Sequence, residues 1–70
     1  MNLYIIENVL WDYTPGMVCI VAENLSQCRD LYMDKFKKLD FDRSIESGDY
    51  KVLKIVDETP RIVSYVYGGA

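Results

Sequence analysis

The chain has 70 residues, half of them apolar and 27% charged, with eight Lys and Arg against eleven Asp and Glu for a net charge of −3. That composition fits one small globular domain rather than a disordered chain, and its mild acidity is a poor basis for binding nucleic acid or anionic membranes. The absence of histidine excludes histidine-based triads, histidine-ligated metals and histidine pH switches.

Leu3 to Leu10 is rich in β-branched and aromatic residues and reads as a strand. Its start, Met1-Asn2-Leu3-Tyr4-Ile5-Ile6-Glu7, has neither the basic region nor the sustained apolar core of a signal peptide. Trp11 to Gly16 follows, and Pro15-Gly16 suits a type II turn. Met17 to Ala22 is an apolar second strand, expected to pair with the first. Asn24 can cap a helix, with Gln27 placed three residues on as in a capping box. Leu25, Cys28, Leu31, Tyr32, Phe36 and Leu39 then recur at steps of three and four, which predicts an amphipathic helix over 24–39. Lys37 and Lys38 complement the negative end of its dipole.

Asp40 to Asp49 is polar and reads as a connection, with at most one irregular turn around Ile45. Tyr50 to Val56 is a third strand, Asp57-Glu58-Thr59-Pro60 a tight turn, Arg61 to Tyr67 a fourth strand, and Gly68-Gly69-Ala70 a frayed tail. The expected fold is α+β. It is a four-stranded antiparallel sheet with one helix packed on one face, in the order β-β-α-β-β with two local hairpins. No apolar run approaches the roughly 20 residues that span a bilayer, and Cys19 and Cys28 lack metal-site spacing. A cytoplasmic protein with reduced, buried thiols is the simplest expectation, a disulfide the alternative.

Alternate strand residues point to opposite faces. Mid-strand polar residues mark the solvent side, which puts Glu7, Lys54 and Ser64 on the outer face. The helix side is then Tyr4, Ile6, Val18, Ile20, Leu53, Ile55, Val63 and Tyr65, and the outer face keeps Ile5, Met17, Cys19, Val21, Val52, Val56, Ile62 and Val66. A helix of about 16 residues covers roughly 24 by 10 Å, one side of such a sheet. The outer apolar residues therefore predict an association surface. Its plainer alternative is a curled sheet partly covered by loops.

No catalytic, metal or cofactor residues emerge. Asp40-Phe41-Asp42-Arg43-Ser44 opens like a calcium loop, but Ile45 stands where glycine is needed and Lys51 where a bidentate glutamate is needed. Asp40, Asp42, Glu46 and Asp49 are better read as a solvated connection or a docking patch for a basic partner than as a carboxylate pair in a pocket. Trp11 and Tyr13 flank a loop, are expected to be exposed, and belong to the residue types that dominate interface energetics. Tyr65 and Tyr67 lie two apart like base-stacking aromatics, yet the acidic balance makes direct nucleic-acid binding a poor expectation.

Tyr4-Ile5-Ile6 with Val9, a polar hairpin loop, a strand ending in Ala22-Glu23 and the helix start Leu25-Ser26-Gln27-Cys28-Arg29 resemble short phage-encoded proteins, among them small anti-CRISPR inhibitors. The resemblance covers about the first 30 residues and the element order. It implies a sheet with one helix and stoichiometric binding to a host CRISPR-associated protein or surveillance complex, without catalysis. The charge is spread along the chain, so steric blocking is expected rather than mimicry of DNA. The expected partner-binding residues are Glu7, Trp11, Tyr13, Asp40, Asp42, Glu46, Asp49, Val52, Lys54, Ile62, Ser64 and Val66. The alternative is a homodimeric module joined through the open sheet face.

Overall fold

The computed structural model describes residues 1–56 and 59–69. Strands β1 (Asn2–Asp12) and β2 (Thr14–Ala22) form an antiparallel hairpin in register from Asn2↔Ala22 to Glu7↔Met17. Beyond Glu7 the ladder shifts twice, and it closes with Asp12 opposite Thr14. The turn therefore falls at Tyr13, with φ of 67°, and not at Pro15-Gly16, which lies inside β2. Gly16 serves close approach instead, since a Cβ there would sit 2.0 Å from the Val66 carbonyl oxygen.

Helix α1 (Leu25–Phe36) starts as its sequence predicts. The Asn24 side chain accepts the Gln27 N–H at 2.8 Å, and the Gln27 side chain accepts the Glu23 N–H at 2.8 Å. The helix stops short of Leu39 because Lys37 turns left-handed, with φ of 55°, and returns its N–H to the Met33 carbonyl at 3.0 Å.

Helix α2 (Asp40–Glu46) is a second helix where a connection was expected, so the element order is β-β-α-α-β-β. Phe41 and Ser44, three apart, are its buried residues, and Asp40 and Asp42 favour its first turn. Gly48, with φ of 75°, takes the left-handed conformation just beyond it.

The sheet order is β3-β1-β2-β4, with β3 spanning Tyr50–Lys54 and β4 spanning Arg61–Val66. The expected second hairpin is absent from the ladder, since β3 pairs with β1, β4 pairs with β2, and the two lie at opposite edges. The link leaves β3 past the start of β1, where the Ile55 N–H donates to the Met1 carbonyl at 3.1 Å. Of the expected tight turn, Asp57 and Glu58 lie outside the described residues.

Directly opposed residues share a face. Tyr4, Ile6, Val18 and Ile20 are on the helix side, and their partners Val52, Tyr50, Tyr65 and Ile62 join them. Val52, Lys54 and Ile62 thus lie on the helix side, not on the open face where they were expected. Leu53, opposite Leu3, moves the other way. The inversion has a physical cause: Lys54 ends an edge strand opposite Asn2 and stays exposed, so its charge does not identify a face. Val63 is the extra residue of a bulge between the Cys19↔Ser64 and Ile20↔Ile62 pairs.

The core lies between the central hairpin and both helices, α1 resting on β2 and α2 on β1. It gathers Tyr4, Ile6, Val9, Leu10, Val18, Ile20, Ala22, Cys28, Tyr32 and Phe41. Both cysteines are free thiols, Cys28 buried and Cys19 half-buried on the open face.

The tail is docked, not frayed, through Gly69. Gly68 is buried and donates its N–H to the Leu10 carbonyl at 3.0 Å. The Thr14 hydroxyl donates to the Gly69 carbonyl at 2.7 Å and accepts the Gly69 N–H at 2.9 Å. Ala70 lies outside the described residues.

Candidate functional site

The distal half of β1 departs from ordinary strand geometry. Asn8, Leu10 and Tyr13 have φ of 59°, 54° and 67°. A left-handed conformation costs a residue with a Cβ about 1–2 kcal/mol, so three in six residues must be held by their surroundings.

The braces come from α2, the loop after it and the docked tail. The Asp40 carboxylate accepts the Leu10 N–H at 2.9 Å with one oxygen and the Tyr32 hydroxyl at 2.5 Å with the other. The Ser44 hydroxyl donates to the Asn8 carbonyl at 2.9 Å, and the Asn8 side-chain amide donates to the Asp49 carboxylate at 2.7 Å. The Glu7 N–H donates to the Asp49 carbonyl at 2.8 Å. The bonds to the Glu7 N–H, the Asn8 carbonyl and the Leu10 N–H satisfy backbone groups that the broken ladder would otherwise leave unpaired.

This scaffold presents two aromatic side chains. Tyr13 is 85% exposed and Trp11 46% exposed, as the sequence predicts. The Trp11 indole N–H donates to the Asn8 carbonyl at 3.1 Å, which fixes the ring's direction. A large amphipathic ring held in one orientation loses little entropy on binding, which is what an interface anchor needs.

The acidic stretch divides by role. Asp40 and Asp49 turn inward onto β1, so they do not form the free docking patch the sequence suggested. Asp42 pairs with Arg29, Nε to Oδ1 at 2.7 Å and a terminal nitrogen to Oδ2 at 3.0 Å. The hydrogen bond from Arg29 holds the Asp42 carboxyl below the usual carboxylate range. Glu46 remains exposed, at the rim of a cleft of about 450 Å³ floored by Leu25, Phe41 and Ile45. Burial, then the bond to Asp40, pushes the Tyr32 hydroxyl well above the usual tyrosine range.

Of the expected open-face residues, Glu7, Ser64 and Val66 are on that face, beside Leu3, Ile5, Met17, Cys19 and Leu53. Leu53 is 51% and Val66 61% exposed. Glu7, Met17 and Val66 also line a shallow cleft of about 370 Å³ with Asn8, Pro15 and Gly16.

Sequence reasoning missed Leu10, whose strained backbone leaves no composition signal, and Leu53, whose face depends on a long-range register. It also missed that Phe36 and the lysines around it meet Tyr65 and Tyr67. Among the described residues no group of acidic or cysteine side chains could hold a metal ion, and no helix is long and apolar enough to cross a membrane. Comparison with protein-family models, with curated proteins and with solved structures finds no match to this chain.

Proposed function

We propose that the protein is a non-enzymatic phage inhibitor that binds a host CRISPR effector complex in the host cytoplasm and blocks it by occupying a protein surface. The resemblance of its first 30 residues to small anti-CRISPR proteins suggests the partner. The observation that carries the binding mode is the strained, braced hairpin tip that holds Trp11 and Tyr13 out to solvent. Strain maintained by this many hydrogen bonds around exposed aromatics is characteristic of a recognition element. Glu46 and the Arg29–Asp42 pair belong to the helices, are solvent-accessible, and would steer association more than hold it.

Pull-down with purified effector complexes from candidate hosts tests this reading. Wild-type protein should be retained, and Trp11→Ala with Tyr13→Ala should lose retention by at least about a hundredfold in affinity, as expected when two interface anchors are removed. Retention of the double variant would refute the tip. Failure of the wild type on all effectors would refute the partner.

The open sheet face favours a second reading, a homodimer closed through Leu53, Val66 and their neighbours. Light scattering across concentration separates the two, because a dimer that persists at nanomolar concentration supports the second.

A further inference from the structure

The net charge of −3 conceals a local excess of the opposite sign. Lys35, Lys37 and Lys38 stand within four residues at the end of α1, three of the eight cations in the chain. The nearest carboxylate in sequence on the far side, Asp40, is turned inward onto Leu10 and Tyr32 and does not reach them. Asp34 is exposed on the same helix but makes no ion pair with them, the one pair among the described residues being Arg29–Asp42.

The same end carries an aromatic group. Tyr65 and Tyr67 are 44% and 47% exposed, because α1 ends at Phe36 and covers no more of β4. Phe36 meets Tyr65 edge-on at 5.1 Å and 77°, and Tyr65 meets Tyr67 at 6.0 Å and 89°. Rings packed edge to face are held upright instead of lying flat on one another. The Lys35 ammonium is 5.2 Å from the Tyr65 ring centre, and the Lys38 ammonium is 5.4 Å from that of Tyr67.

We infer that this patch binds single-stranded nucleic acid. Each tyrosine carries an ammonium over its ring, and an unpaired nucleotide supplies the complement of both, a phosphate that draws the ammonium off the ring and a base that takes its place on the ring face. A duplex hides its bases in the stack. An acidic peptide satisfies the ammonium groups but gives the rings no partner. The inference is independent of the hairpin tip, since Trp11 and Tyr13 take no part in it.

Fluorescence anisotropy with the isolated protein and a labelled single-stranded RNA tests it without any effector, so its failure leaves the inhibitor reading standing. Wild-type protein binds the single strand. Affinity falls roughly twentyfold between about 50 and about 200 mM salt, as about three ammonium–phosphate contacts require. Lys35→Gln with Lys38→Gln, which removes both charges and keeps a polar, unbranched stem, flattens that salt dependence. Tyr65→Leu with Tyr67→Leu, which keeps apolar bulk, weakens binding at least about fivefold and leaves the salt slope unchanged. Photocrosslinking of wild-type protein to a thiouridine-bearing strand provides a readout that does not depend on the variants folding, and the adduct maps to Tyr65 or Tyr67. Absence of binding at low salt, equal affinity for a duplex or for polyglutamate, or adducts confined to other segments would each overturn the proposal.

Discussion

The carboxylate of Asp40 accepts the backbone N–H of Leu10, thirty positions earlier in the chain, at 2.9 Å. That one contact ties the first turn of α2 to the strained stretch of β1. Its second oxygen takes the Tyr32 hydroxyl from α1, so three elements meet on one side chain.

Asp40→Ala removes both acceptors and deprives a fully buried Leu10 amide and a buried Tyr32 hydroxyl of their carboxylate partner. The expected loss is about 2–4 kcal/mol, read as a lower urea midpoint at unchanged slope. Tyr32→Phe removes only the hydroxyl and should cost about 1 kcal/mol. Equal stability of Asp40→Ala and wild type would show that the brace contributes nothing.

At Tyr13 the left-handed φ of 67° and the exposed ring separate stability from binding. Tyr13→Gly relieves the backbone and should raise stability by about 0.5–1 kcal/mol after the entropy of glycine in the unfolded chain is counted. Tyr13→Ala keeps the Cβ and gains nothing. Both lose the ring and, under the proposed function, should bind the effector equally poorly. Thermal melts distinguish them by a few degrees.

Three glycines should respond differently to an added Cβ, two in the docked tail and one beyond α2. A Cβ on Gly68 would lie 1.5 Å from the Thr14 carbonyl oxygen, so Gly68→Ala must expel the tail and break its bonds to Leu10 and Thr14. A loss of at least about 2 kcal/mol is expected. Gly69→Ala meets open space and should be neutral. Gly48→Ala also has room but must hold φ of 75°, at about 1 kcal/mol. Denaturation curves for the three variants check the order.

Burial pushes the Cys28 thiol up from 9.0 to about 12. The folded state therefore binds that proton more tightly than the unfolded state. The associated stability is complete below about pH 9 and is lost as pH climbs toward 12, with Tyr32 acting in the same direction. At pH 8 a thiol reagent should label half-buried Cys19 promptly and Cys28 only in denaturant. Prompt labelling of both would mean that α1 opens far more often than its packing implies. At the acid end the sign reverses. The Asp42 carboxyl is depressed by Arg29, so its small contribution is present above the ordinary carboxylate range and fades as pH falls through the depressed value. Asp42→Asn should abolish that acid-side change in a urea titration.

How much was legible depended on how local the cause was. The first hairpin, the Asn24 and Gln27 caps of α1 and the existence of all four strands follow from residues a few positions apart, and so does the exposure of Trp11 and Tyr13. The seven residues of α2 are too few for periodicity to separate them from a polar loop. Val52 and Leu53 are apolar neighbours, so alternation alone could not decide which faces the helices; pairing with Tyr4 and Leu3 did. The inward turn of Asp40 and Asp49 and the docking of Gly68 are answers to the broken ladder of β1, far away in sequence.

The outer strands lean on different members of the central hairpin and never on each other. Fraying at one margin therefore need not propagate to the other. Deuterium should enter β3 and β4 on separate schedules, while the amides shared by β1 and β2 hold out longest. Among the described residues no further strand lies beyond β3 or β4, so either margin offers backbone groups by which the layer could be extended without disturbing the aromatic tip.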